Sequence, residues 1–146
     1  MLTCVIGADL DRGYLVENVE HIIEPELSVL DPVQNTLRFI DLFAGRMTEV
    51  CARSYARTGR NPDEFAALVL ANLVAPVLKN YAAVARIPFR RVPTDNIARF
   101  GHCFAYDQLI TLATLAECGA TRSGDVVHVL GAGANYLFSS TVMRLL

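Results

Sequence analysis

Charge is scarce in this sequence, and nowhere is it concentrated. Only 19% of the 146 residues are Asp, Glu, Lys or Arg, whereas 53% are hydrophobic; an ordinary soluble domain carries roughly 25% charged residues. That balance excludes intrinsic disorder, which needs low hydrophobicity and high net charge. Thirteen basic and 15 acidic residues leave a net charge of −2. With no run of Lys or Arg to neutralise a phosphate backbone, nucleic acid is not an expected partner. Long apolar runs are missing too. The longest, Ala66 to Leu78, is interrupted by Asn72 and Pro76 and falls short of the roughly 20 residues of a membrane-spanning helix. The first residues lack the basic segment and cleavage site of a secretory leader, and Asp9, Asp11 and Arg12 follow at once. Cys4, Cys51, Cys103 and Cys118 form no Cys-x-x-Cys pair and have no His at ligand spacing, so neither a metal site nor a disulfide framework is expected. Scattered thiols of this kind suit a reducing compartment, and a cytoplasmic location is expected.

What is present reads as alternating strands and helices. Met1 to Gly7 and Tyr14 to Ile23 are rich in β-branched residues around the turn chemistry of Asp9 to Gly13, which predicts a β-hairpin. Glu24 to Pro32, with two prolines, reads as a loop. Leu37, Ile40, Phe43, Ala44, Met47, Val50, Cys51 and Tyr55 recur at three-to-four spacing, predicting an amphipathic helix between Val33 and Arg57 with Gly59 as its stop. Asn61-Pro62-Asp63-Glu64 has the cap, proline and acids of a helix start. Ala66 to Ala71 suits a strand covered on both faces. A helix is expected from Leu73 to Arg86, a short strand at Asp95 to Ala98 and a helix from Cys103 to Cys118. Strands are expected at Asp125 to Leu130 and Tyr136 to Leu145, with Gly131 to Gly133 as a turn between them. The order ββ-αβαβαββ implies an α/β fold: a mixed β-sheet with helices on both faces.

The helix from Cys103 is the most informative. Between Cys103 and Ala116 its apolar residues occupy every face and its one charge is Asp107. A helix hydrophobic all round must be covered all round. One sheet covers one side only, so this chain is expected to be half of a larger arrangement.

Several segments resemble the C-terminal half of β-ketoacyl-ACP synthase III, in the thiolase superfamily. They are Asn96-Ile97-Ala98-Arg99-Phe100-Gly101-His102, the apolar helix, Arg122-Ser123-Gly124-Asp125-Val126-Val127 and Gly131-Ala132-Gly133-Ala134. The family has there a strand ending in Gly-Asn-Thr-Ser, a buried helix, a Lys-Pro-Gly-Asp turn and a Gly-rich loop before its last strand. Upstream, without gaps, the family's Pro-His-Gln-Ala-Asn falls on Ala71-Asn72-Leu73-Val74-Ala75. The separation of Asn72 from His102 equals the family's separation of catalytic His from catalytic Asn. The resemblance implies a thiolase-like half, with residues 34–146 as the synthase C-terminal-like domain. Residues 1–33, a hairpin and linker, resemble the end of the family's first half and are expected to complete the other half.

Two departures shape the expected chemistry. The catalytic His position holds Asn72 and the catalytic Asn position holds His102, so the pair is exchanged. The family's nucleophilic Cys lies in its first half, leaving no nucleophile here. The resemblance therefore implies one subunit of a split ketosynthase III-like acyltransferase. Its substrates would be acyl thioesters of acyl carrier protein or coenzyme A, with no further cofactor. A partner chain, the complementary N-terminal half, would supply the Cys in a hetero-oligomer. An imidazole beside a thiol favours the attacking thiolate. The candidate catalytic residues are His102 as base, Asn72 as amide donor and Asp107, folding back to fix the His102 tautomer. The Ala134 N–H would join the oxyanion hole. Transfer to an oxygen or nitrogen nucleophile suits a general base better than the family's decarboxylative step does.

Other roles compete for these residues. His102 could be a structural histidine at a turn, Asn72 an N-cap for the next helix, and Asp107 a complement to a helix N-terminus. Cys103 should point away from His102, and Cys4, Cys51 and Cys118 read as packing residues. His21 and His128 read as structural. Gly131-Ala132-Gly133-Ala134 precedes a strand rather than opening a helix, so it is not a nucleotide-binding loop. The alternative to an enzyme is a non-catalytic, degenerate subunit that stabilises or shapes the pocket of a catalytic chain.

Overall fold

Among the described residues, four strands form one mixed sheet, the geometry that the alternating pattern predicts. The computed structural model describes residues 13–133 and 136–146. Strands β1 (Tyr14–Ile23), β2 (Ala67–Val69), β3 (Val126–Gly133) and β4 (Leu137–Leu145) lie in the order β1-β4-β3-β2. β4 runs antiparallel to both neighbours, pairing Tyr14 with Leu145 on one side and Gly131 with Ser139 on the other. β2 joins β3 in parallel, with Ala67 opposite Val127.

Each face of the sheet has its own core because side chains alternate along a strand. On one face Leu68, Leu130, Phe138 and Val142 meet helices α2 (Thr36–Thr58) and α3 (Ala75–Ala85). Met47, Val50 and Cys51 form the buried stripe of α2, and Phe43 meets Phe138 edge-on at 5.1 Å. The helix ends at Gly59, whose φ of 66° is the left-handed conformation glycine supplies at a C-terminus. On the other face Tyr14, Ala67, Val69, Val127 and Leu145 meet Leu112 and Leu115 of α5 (Asp107–Glu117). The Tyr14 hydroxyl donates to the Leu112 carbonyl at 3.2 Å. Helices therefore cover both faces, as expected.

Helix α5 is covered on one side only. Asp107, Thr111, Leu112 and Leu115 are buried. Phe104 and Tyr106, in the 3-10 turn before it, and Leu109 are 77%, 69% and 42% exposed, which leaves an apolar surface facing outward.

Several local expectations change. Residues 95–98 are not a strand: α4 (Asn96–Phe100) is a short helix, and Asn96 is drawn inward by a 3.0 Å bond from its amide to Thr111 Oγ1. Glu24 to Pro32 contains α1 (Pro25–Val29), begun by Pro25 and by the Glu24 carboxylate accepting the Glu26 N–H at 3.1 Å. Pro62–Glu64 is a single 3-10 turn. Gly131 to Gly133 continue β3 rather than turning. β1 pairs along its length with β4 and, among the described residues, forms an edge of this sheet. The rest of the expected hairpin, Met1 to Gly7 with most of its turn, lies outside the described residues. Among those described, no helix is long and apolar enough to cross a membrane, and no cluster of metal ligands occurs.

Candidate active site

The parallel strands β2 and β3 point their C-terminal ends at one crevice, the place where open α/β sheets hold ligands. A cavity of about 560 Å³ opens there. Leu70, Leu73, Tyr81, Leu130 and Leu137 make its apolar wall, and Gly131, Ala132 and Gly133 its narrow side. His102, Gln108 and Ser139 bring polar groups into it.

His102 is held by a carboxylate that water does not reach. Asp107 is fully buried, and its Oδ2 meets His102 Nδ1 at 2.5 Å. The same carboxylate accepts the Asn72 N–H at 2.9 Å and the Cys103 N–H at 2.7 Å. A carboxylate acceptor at Nδ1 requires the proton there, so in the neutral ring Nε2 carries the lone pair. The side chain is 40% exposed and lines the cavity. Among the described residues, none makes a hydrogen bond to Nε2. The neutral ring held in this way has a fixed tautomer and a free face, an arrangement that can act as a base.

The five-residue separation closes through the backbone. Gly101 adopts φ 70° and ψ −165°, a conformation open essentially to glycine. Phe104 takes φ 54°, unusual for a bulky side chain, at the start of the 3-10 turn Phe104–Tyr106 that carries the chain back to Asp107. The Phe104 and His102 rings lie 4.8 Å apart.

Asn72 is buried behind this loop. Its amide donates to the Gly101 carbonyl at 3.0 Å, and its side-chain oxygen accepts from Thr111 Oγ1 at 3.5 Å. It does not line the cavity. Nor does it cap α3, which begins at Ala75 after Val74 and has Pro76 in its first turn. Cys103 directs its thiol to the Phe100 carbonyl at 3.3 Å, outside the cavity lining. Cys51 is buried under α2, which pushes its thiol up to about 12 and leaves it unreactive. Ala134 lies outside the described residues.

His21 is exposed on β1. His128 is fully buried: its Nε2 meets Ser140 Oγ at 2.6 Å and its Nδ1 the Tyr55 hydroxyl at 3.3 Å, and burial lowers it to about 4. Sequence reasoning missed Gln108, Ser139 and Tyr81 at the cavity. The one available signal was a polar residue, Gln108, directly after Asp107 at the start of a largely apolar helix.

Known proteins share this architecture. The family described as 3-oxoacyl-[acyl-carrier-protein (ACP)] synthase III C terminal matches residues 55–145. The 3-oxoacyl-[acyl-carrier-protein] synthase III of Aquifex aeolicus superimposes with a TM-score of 0.74 at 19% identity, over 88% of this chain and 44% of that one. ChlB3, an acyltransferase, gives 0.77 at 18% identity, over 91% and 46%. OleA of Xanthomonas campestris gives 0.74 at 17% identity, over 91% and 38%. The chain thus spans less than half the length of these structures. No curated protein sequence matches it.

Proposed function

Because the chain belongs to the 3-oxoacyl-[acyl-carrier-protein] synthase III C-terminal family, we propose that it is the base-bearing half of a ketosynthase III-like acyltransferase. Its substrates are acyl thioesters of acyl carrier protein or coenzyme A. The complementary half, a partner chain, supplies the nucleophilic Cys and covers the open side of α5. The observation that carries this reading is the His102–Asp107 pair at the mouth of the cavity.

In this mechanism Nε2 of His102 takes the proton of the partner's thiol. The thiolate adds to the thioester carbonyl, and collapse of the adduct expels the carrier's thiolate, which regains a proton from Nε2. The same nitrogen then deprotonates the acceptor's hydroxyl or amine as it attacks the acyl-enzyme; collapse of that adduct breaks the bond to the partner's Cys, whose thiolate regains the proton from Nε2. Asp107 is a positioning residue that holds the tautomer and steadies the positive charge forming on the ring. Asn72 acts through the loop: by fixing the Gly101 carbonyl it sets where His102 stands. The Ala134 N–H contributes to the oxyanion hole, where one donor is worth about 3–4 kcal/mol.

The test is co-expression with the chain encoded immediately upstream, purification of the complex and acyl loading followed by intact mass. His102→Ala should lower loading by about 10²–10⁴-fold, the usual contribution of a positioned base. Loading that survives this substitution unchanged would mean a structural subunit instead.

A further inference from the structure

The amide that the resemblance places at Asn72 is committed elsewhere: it donates to the Gly101 carbonyl and stays out of the cavity. A thioester carbonyl in that cavity therefore needs a different side-chain donor.

Gln108 has the required placement. It follows Asp107, so the same first turn of α5 that anchors the His102 pair fixes its backbone. Its side chain lines the cavity together with His102. The space it occupies depends on the bare backbone of Gly131: a Cβ there would come within 2.9 Å of Gln108 Nε2 and 3.1 Å of Ser139 Oγ. A glycine in the middle of a paired strand commonly marks such a close approach. Among the described residues, none makes a hydrogen bond to the Gln108 carboxamide, although the residue is half-buried. The carboxamide N–H therefore has no protein acceptor to give up before it donates to a ligand in the cavity. The remaining wall is largely apolar, so a substrate oxygen has few other donors there.

We infer that Gln108 is a catalytic residue, the carboxamide that donates its Nε2–H to the carbonyl oxygen of the acyl thioester, with Gly131 keeping the space open for it. The inference rests on the proposed acyltransfer. As the partner's thiolate adds to the carbonyl carbon, the π electrons move to oxygen, and the Gln108 N–H stabilises that oxyanion by a hydrogen bond. No proton is transferred at this point. Collapse restores the carbonyl, expels the carrier's thiolate and releases the bond.

The experiment uses the assembled complex and hexanoyl-coenzyme A as probe, with the acyl-loading rate measured across a substrate series. Gln108→Met keeps the bulk and removes the donor. It should lower the maximal rate by about 10²–10³-fold, the loss typical of one oxyanion donor, while the half-saturating concentration moves by less than about threefold. Gln108→Glu, which places an acceptor against an oxyanion, should be at least as slow. Gly131→Ala should slow loading by displacing the amide, and combining it with Gln108→Met should add little further loss, as coupled neighbours do. A thermal melt of each complex shows that the fold is intact. Gln108→Met and Gln108→Glu variants loading at the normal rate, beside a His102→Ala variant that fails, would overturn the role of Gln108 and leave the acyltransfer reading standing. Normal loading by His102→Ala would overturn both.

Discussion

Replacing Asp107 tests the site through both stability and geometry. Its two oxygens receive three donors: Oδ2 takes His102 Nδ1 and the Asn72 N–H, and Oδ1 takes the Cys103 N–H. In an Asp107→Asn variant one oxygen becomes an NH₂ group, which must face a donor whichever way the amide turns. Keeping oxygen at the Oδ2 position preserves two of the three bonds and sets NH₂ against the Cys103 N–H. One N–H of partly buried backbone is then unpaired, a loss of about 1–3 kcal/mol. Asp107→Ala strands the Asn72 N–H as well and frees the imidazole, so its loss should be about 3–5 kcal/mol, the upper range for a buried polar network. The assay is urea unfolding of the protein, paired with ¹⁵N chemical shifts of the His102 ring. The Asn variant should keep the Nδ1–H tautomer, and the Ala variant should lose it. An Ala variant within about 0.5 kcal/mol of the original, the range of an unremarkable surface change, would refute this account of the loop.

Two further outcomes follow from backbone and burial. His128 titrates near 6.5 when unfolded and is lowered to about 4 by burial among Tyr55, Ser140 and the Phe65 ring. Between those values the unfolded chain binds the extra proton, so stability must fall as pH falls through this window. The loss attributable to His128 should be about 2 kcal/mol between pH about 7 and about 5, read from denaturant titrations; His128→Gln should remove that slope, and an unchanged slope would contradict it. Gly101→Ala meets no atom within 4 Å, so any cost is purely that of φ 70° and ψ −165°. A loss of about 1–3 kcal/mol in unfolding free energy is expected, the range for a residue forced into such a conformation, with acyl loading reduced as His102 shifts; full stability would show that the loop tolerates a side chain there.

The fold class and the family were legible because they rest on long patterns. Hydrophobic spacing in α2 and the β-branched run of β3 outweigh any single residue, and the motifs of the C-terminal half keep one register. The pairing of His102 with Asp107 was anticipated as a side chain folding back. What spacing did not convey is the means: a glycine at positive φ and a 3-10 turn that shorten the path. Asn72 shows the opposite limit. Its position in the chain matches a family motif, yet which way its amide turns depends on a carbonyl twenty-nine residues later, at Gly101. Residues 95–98 are too few for a strand's alternation to compete with the pull of Thr111 on Asn96. Gly131 to Gly133 looked like a turn because small residues break strands more often than they make room inside one.

The strand that joins the sheet together is translated after every strand it joins. Among the described residues, β4 lies between β1 and β3 and is the strand that pairs with β1. A ribosome adds about 5–20 residues per second, so β1 waits on the order of ten seconds for its neighbour while nearly all the other elements emerge. During that interval Tyr14 and Ile22, both buried in the finished sheet, stand on a segment whose β4-facing edge is unpaired, the condition that favours association with the wrong chain. The emergence of β4 therefore closes an interval in which shielding of β1 decides whether this chain reaches its sheet or aggregates.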